Sequence, residues 1–140
     1  MFIKRVPLSE RSLDRVRLEI DLQRRAHKYG FTPAIHRVVE TEEEVVIEME
    51  DVGAPCLADA YGDKKIPKRI WKQISRILAT LLKKEGIEYI DITPYNFIEK
   101  EKKVFIIDFG DAKVHEEGTP LNWFLAEFLG GECGWNPDFA

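Results

Sequence analysis

Apolar residues recur along the chain in two rhythms, every second position in some runs and every third or fourth in others, which predicts a mixed α and β fold. "FIKRV", residues 2–6, reads as a short strand that Pro7 ends, because proline has no N–H to give a ladder. A first helix follows. Its N-cap is placed at Ser9 with Glu10 in the first turn, its apolar positions are Leu13, Val16 and Ile20, and Gly30 stands at its left-handed stop. Arg17, Arg24, Arg25 and Lys28 form its polar face. "AIHRVVE" and "EVVIEME" flank the acidic "TEE" and read as an antiparallel hairpin.

Residues 51–68, "DVGAPCLADAYGDKKIPK", are rich in Gly, Pro and Asp and read as a linker between two subregions. From Pro67 to Lys84, Ile70, Ile74, Ile77, Leu78, Leu81 and Leu82 mark one core-facing side of a second helix, with Gly86 as its stop. "NFIEKEKKVFIID" then reads as two strands joined by the charged "EKEKK", which places Asn96 and Asp108 at the open ends of one hairpin. "TPLNWFLAEFLGG" reads as a last helix begun by Thr119 and Pro120, half-burying Trp123, Phe124 and Phe128. The remaining "ECGWNPDFA", with Trp135, reads as a tail docked on the core. The two tryptophans are expected to cover core that a larger C-terminal region would otherwise cover.

Composition narrows the function classes. With 140 residues, 44% hydrophobic and 33% charged, the chain has the balance of one globular domain. A net charge of −4, from 21 basic and 25 acidic residues, supplies no basic field for a nucleic-acid backbone. The arginine-rich helix face, with Arg5 and Arg11 nearby, is expected to be a solvated surface balanced by glutamates. Cys56 and Cys133 form no C-x-x-C pair, which argues against a disulfide framework or a cysteine zinc site and for a reducing, cytoplasmic setting. No stretch approaches the roughly 20 apolar residues of a membrane span, and no apolar signal region follows the N-terminus. His27, His36 and His115 have no metal-ligand spacing.

The chemistry concentrates in residues 88–113. There Asp91, Asn96 and Asp108 sit among isoleucines and phenylalanines, where a carboxylate needs a partner or a metal. Three oxygen-bearing side chains on converging loop ends suit a hard divalent cation such as magnesium, which is often shared with substrate phosphates. The plainer reading makes Asp91 and Asp108 caps of a β-hairpin.

Asp91-Ile-Thr-Pro-Tyr-Asn96 followed by Asp108-Phe109-Gly110 resembles the protein-kinase-like superfamily, closest in form to the small atypical and aminoglycoside-phosphotransferase-like kinases. The resemblance implies an α+β, truncated two-lobed fold: a single minimal domain over 1–140, with a reduced N-lobe sheet plus one helix over about 1–52, a hinge and linker over 50–66, and a minimal C-lobe over 67–140. It implies that Asp91 is the catalytic base and that Asn96 and Asp108 hold Mg2+. Lys4 would contact ATP phosphates and pair with Glu19. Met49 would be the gatekeeper, and Glu50, Asp51 and Val52 a hinge meeting adenine.

The implied function is an ATP- and Mg2+-dependent phosphotransferase acting on a protein Ser/Thr or a small-molecule acceptor. The alternative is a non-catalytic kinase mimic that regulates a protein partner. The chain departs from the family pattern in three places. Only Met1, Phe2 and Ile3 precede Lys4, so no glycine-rich lid is expected over the phosphates. Tyr89 stands where a histidine is usual, which is expected to loosen the metal loop, and no A-P-E follows Asp108.

Overall fold

The computed structural model describes residues 1–131. Strands β1 (Phe2–Pro7), β2 (Ile35–Glu40) and β3 (Glu44–Met49) form an antiparallel sheet in the order β1-β3-β2, with Phe2 opposite Met49 and Lys4 opposite Ile47. Pairing on alternate residues puts Phe2 and Lys4 on one face. Helix α1 (Leu13–His27) begins at Ser12 rather than Ser9; the Ser12 hydroxyl accepts the Arg15 N–H at 3.2 Å. The reason is a turn in which the Pro7 carbonyl accepts the N–H of Glu10 at 3.0 Å and of Arg11 at 3.3 Å, so Ser9 is spent outside the helix.

Two apolar clusters form the core, and α1 belongs to both. Val16 and Ile20 join Val6, Val45, Ile47 and Met49 under the sheet. Leu22 and Ala26 join the larger cluster built on α3 (Lys68–Glu85), whose Ile70, Trp71, Ile74, Leu78 and Leu81 are buried. A helix shared by two cores has its rotation fixed from both ends. Gly86 closes α3 in the left-handed region at φ 65°, as its position in the sequence suggests.

The segment read as a linker carries a helix, α2 (Leu57–Tyr61), with Leu57 fully buried. One turn is too short to show helical periodicity, so only burial reveals it. Strands β5 (Phe97–Lys100) and β6 (Lys103–Ile106) form the expected hairpin, closed by Glu101 and Lys102 at φ 51° and 66°. β4 (Ile87–Glu88) pairs with β7 (Lys113–Val114). Helix α4 (Trp123–Leu129) starts at Asn122, whose side chain accepts the N–H groups of Phe124 and Leu125, and not at Thr119 and Pro120. Phe128 is buried against Trp71, but Trp123 is 69% exposed and stacks only on Phe124 among the described aromatic rings. Cys133, Trp135 and the tail lie outside the described residues. The architecture is α+β and consistent with a truncated kinase-like fold. Among the described residues no helix is long and apolar enough to cross a membrane.

Candidate functional site

A cleft of ≈ 360 Å³ opens between the β1-β3 sheet and the base of the β5-β6 hairpin, lined by Lys4, Met49, Glu50, Val52, Asn96 and Asp108 among others. Strand alternation sends Lys4 into it. Its Nζ lies 2.6 Å from Glu19 Oε2 and 3.4 Å from Asp108 Oδ1, so one ammonium ties the sheet, α1 and the loop after β6 together. The Glu19 side chain is only 3% exposed, and a carboxylate so placed requires its cation.

Asp108 adopts φ 63°, a left-handed conformation that a non-glycine residue holds only when its surroundings impose it. Asp108 Oδ1 accepts the Gly110 N–H at 2.9 Å, while Oδ2 has no hydrogen-bond partner among the described residues. The Tyr89 hydroxyl lies 2.7 Å from the Ile107 carbonyl and 2.8 Å from that of Asp108, and donates to this pair. Its ring meets Phe109 and Phe97 edge-on. Burial first, then the charges of Asp108, Asp91 and Asp111, push the Tyr89 hydroxyl well above its ordinary value and keep it a neutral donor. The tyrosine therefore braces the loop, contrary to the loosening expected from the absent histidine.

Across the hairpin base, the Ile107 N–H donates to the Asn96 carbonyl at 2.9 Å. Asn96 Nδ2 donates to the Asp91 carbonyl at 2.8 Å and to Asp91 Oδ2 at 2.9 Å. With the nitrogen so committed, the polar atom left on the amide is its oxygen, the one a hard cation takes. Asp91 itself does not line the cleft; it stands behind Asn96.

At the far end, the Glu50 N–H is used by the Ala34 carbonyl at 2.9 Å, whereas the Glu50 carbonyl and the Val52 N–H are taken by no other hydrogen bond among the described residues. Asp51 shapes the exit from β3, its Oδ1 accepting the Gly53 N–H at 2.9 Å. Met49 is 7% exposed and lies against buried Gln23, whose Nε2 donates to the Pro33 carbonyl at 3.0 Å.

Of the residues singled out in the sequence, Lys4, Met49, Glu50, Asp51, Val52, Asn96 and Asp108 line the cleft, whereas Glu19 and Asp91 do not and touch it only through Lys4 and Asn96. Direct contacts link Lys4, Glu19 and Asp108 in one group and Asp91 and Asn96 in another. Gln23, Arg11 and Arg15 were missed. A signal was present, since Arg15, Glu19 and Gln23 are four residues apart and so share one side of α1.

The donor set fits magnesium shared with a phosphate ligand. Asp108 and Asn96 offer oxygens, and Lys4 offers a cation for phosphate charge. Among the described residues no group of three or more His, Cys, Asp or Glu side chains is arranged to hold a metal unaided. The unused Glu50 carbonyl and Val52 N–H, beside apolar walls, fit the edge of a flat heterocycle.

No family model matches the chain. Among curated proteins it is similar to the probable serine/threonine-protein kinase BUD32 homolog of Archaeoglobus fulgidus, with 25% identity over 130 residues. The match covers 90% of this chain and 62% of the relative's length. This likeness points to a distant relationship with protein kinases.

Proposed function

We propose that the chain is an ATP- and Mg2+-dependent phosphotransferase whose acceptor is a protein Ser/Thr or a small-molecule hydroxyl. The observation that carries the reading is the double contact of Lys4 with Glu19 and Asp108 at the mouth of an apolar cleft. Such catalysis needs little covalent chemistry from the protein; it needs phosphates held in line and their charge offset.

Lys4, oriented by Glu19, binds phosphate oxygens. Asp108 and Asn96 hold magnesium, which supplies charge neutralisation at the transferring phosphate. The Glu50 carbonyl and Val52 N–H pair with the adenine edge, and Met49 closes the apolar end. Asp91 orients the acceptor hydroxyl and takes its proton at Oδ1, because Oδ2 is engaged by Asn96. The similarity to a serine/threonine kinase homolog supports a hydroxyl acceptor.

The test is incubation of the purified chain with labelled ATP and magnesium, with and without generic protein and small-molecule acceptors, beside Asp91→Ala and Asp108→Ala. Label transfer lost in both variants supports the reading. A chain that neither turns over ATP nor is thermally stabilised by ATP with magnesium refutes it, and leaves the non-catalytic mimic.

A further inference from the structure

The loop that follows Asp108 is held from the start of α1. Arg15 donates Nε and Nη2 to the Gly110 carbonyl at 3.0 and 2.7 Å, and Nη2 also reaches the Ala112 carbonyl at 2.6 Å. Arg11 Nη1 donates to the same Gly110 oxygen, and its Nη2 lies 3.4 Å from Asp111 Oδ1. The Gly110 N–H, on the other side of that residue, is the donor to Asp108 Oδ1. There is no spare room: a Cβ on Gly110 would lie 3.0 Å from Asp108 Oδ1 and 3.1 Å from Arg11 Cζ.

Two guanidinium groups on one carbonyl repel each other, so the arrangement survives only where negative charge and planar hydrogen-bond geometry offset that repulsion. Asp111 and Asp108 provide the charge. The consequence is a closed circuit. Starting from α1, Glu19 reaches Asp108 through Lys4, and Arg15, one turn earlier on the same helix, reaches Asp108 through Gly110.

We infer that Arg15, assisted by Arg11, is a positioning residue that locks the Gly110 loop to α1 and so keeps Asp108 in its left-handed, cation-facing conformation. The inference rests on the reading of Asp108 as a magnesium-holding carboxylate.

Hydrogen exchange followed by mass spectrometry, on the full chain without nucleotide, reads the clasp directly. Amides of residues 108–114 exchange at least about tenfold faster in Arg15→Ala than in wild type, since loss of even one of its charge-assisted hydrogen bonds is worth that factor, while α3 amides are unchanged. Arg15→Lys restores little, because the ammonium is a point donor on a flexible stem and does not reproduce the fixed Nε and Nη2 fork that Arg15 places on the two carbonyls.

Magnesium titration of ATP-dependent thermal stabilisation then reads its purpose. The magnesium requirement rises about tenfold in Arg15→Ala, in proportion to the loosened loop, and stabilisation by ATP alone is unchanged. If Arg15→Ala also loosens α3, Arg11→Ala, which precedes the helix, replaces it with the same two readouts.

Unchanged exchange in residues 108–114, or faster exchange with an unchanged magnesium requirement, overturns the inference. A wild-type chain that does not respond to ATP with magnesium overturns the phosphotransferase reading and the positioning role together, and is recognised from wild type alone.

Discussion

Lys4 Nζ sits 2.6 Å from Glu19 Oε2, fifteen positions away, and the Glu19 carboxylate has almost no exposure to water. The two residues are thermodynamically unequal. Lys4 keeps 28% of its side chain exposed, so Glu19→Gln strands a cation that water can still reach. Lys4→Ala strands a buried carboxylate and destabilises the chain by about 1–3 kcal/mol. The double variant Lys4→Ala/Glu19→Gln recovers part of that loss. Urea denaturation of all four proteins measures the coupling; additive effects would show that the pair does not interact. Stabilisation by ATP with magnesium is lost wherever Lys4 is replaced.

Tyr89 isolates the brace from the chemistry. Tyr89→Phe keeps the ring against Phe109 and Phe97 but leaves the Ile107 and Asp108 carbonyls without their donor. The predicted loss is about 1–2 kcal/mol of stability, with faster amide exchange at residues 107–110. Near-ultraviolet circular dichroism checks that the aromatic packing survives. Exchange rates equal to wild type would mean that the hydroxyl does not hold the loop.

How far the sequence could be read depended on element length and on how far apart in the chain the partners lie. The stripe Ile70, Ile74, Ile77, Leu81 announces α3 because burial repeats over several turns. The β5-β6 hairpin announces itself by two apolar runs, and with it the convergence of Asn96 and Asp108. α2 has a single buried leucine and no period to detect. Ser9 and Thr119 both looked like helix starts, and each lost to a residue three further on, Ser12 and Asn122, because neighbouring turns consumed the first candidate. The placement of Asn96 and Asp108 at one end of a hairpin was legible through local spacing. The Arg15 grip on Gly110 was not, since arginine donors to main-chain carbonyls 95 positions away leave no pattern in the chain.

Glu85 gives a pH signature. The Tyr29 hydroxyl, then Arg25 and to a smaller extent Lys28, hold its carboxyl down at about 2, against a normal 4.5, and outweigh the opposing effect of burial. A group whose folded value is depressed stabilises the native state above its unfolded value and loses that contribution as the group protonates. The stability difference between wild type and Glu85→Gln is therefore constant above pH 4.5 and closes as pH falls from 4.5 toward 2. Thermal melts of both proteins across that window test it. A gap that stays constant down to pH 2 would contradict the linkage.

Leu57 and Trp123 reverse the usual expectation from side-chain size. Leu57 is fully buried on the five-residue helix α2, whereas Trp123 is 69% exposed. Leu57→Ala lowers stability by about 2–5 kcal/mol through the cavity it leaves. Trp123→Ala changes it by no more than about 0.5 kcal/mol, as surface substitutions do. Chemical denaturation separates them; equal losses would mean that Trp123 packs on the core after all.

The turn between β5 and β6 is the clearest place to gain stability. Glu101 and Lys102 both stand at positive φ, the requirement of a two-residue turn whose twist matches the flanking strands. Neither has the freedom of glycine or the local hydrogen bonding of asparagine, and each left-handed residue of this kind costs about 1 kcal/mol. The Lys102 carbonyl accepts Gln73 Nε2 at 2.9 Å through its main chain alone, so changing the side chain leaves that bond to α3 intact. Glu101→Asn/Lys102→Gly is therefore predicted to raise stability by about 1 kcal/mol and to leave the affinity for ATP with magnesium unchanged, because the turn lies at the end of the hairpin opposite Asn96 and Asp108. A lower melting temperature would show that the charged side chains contribute more than the backbone strain takes away.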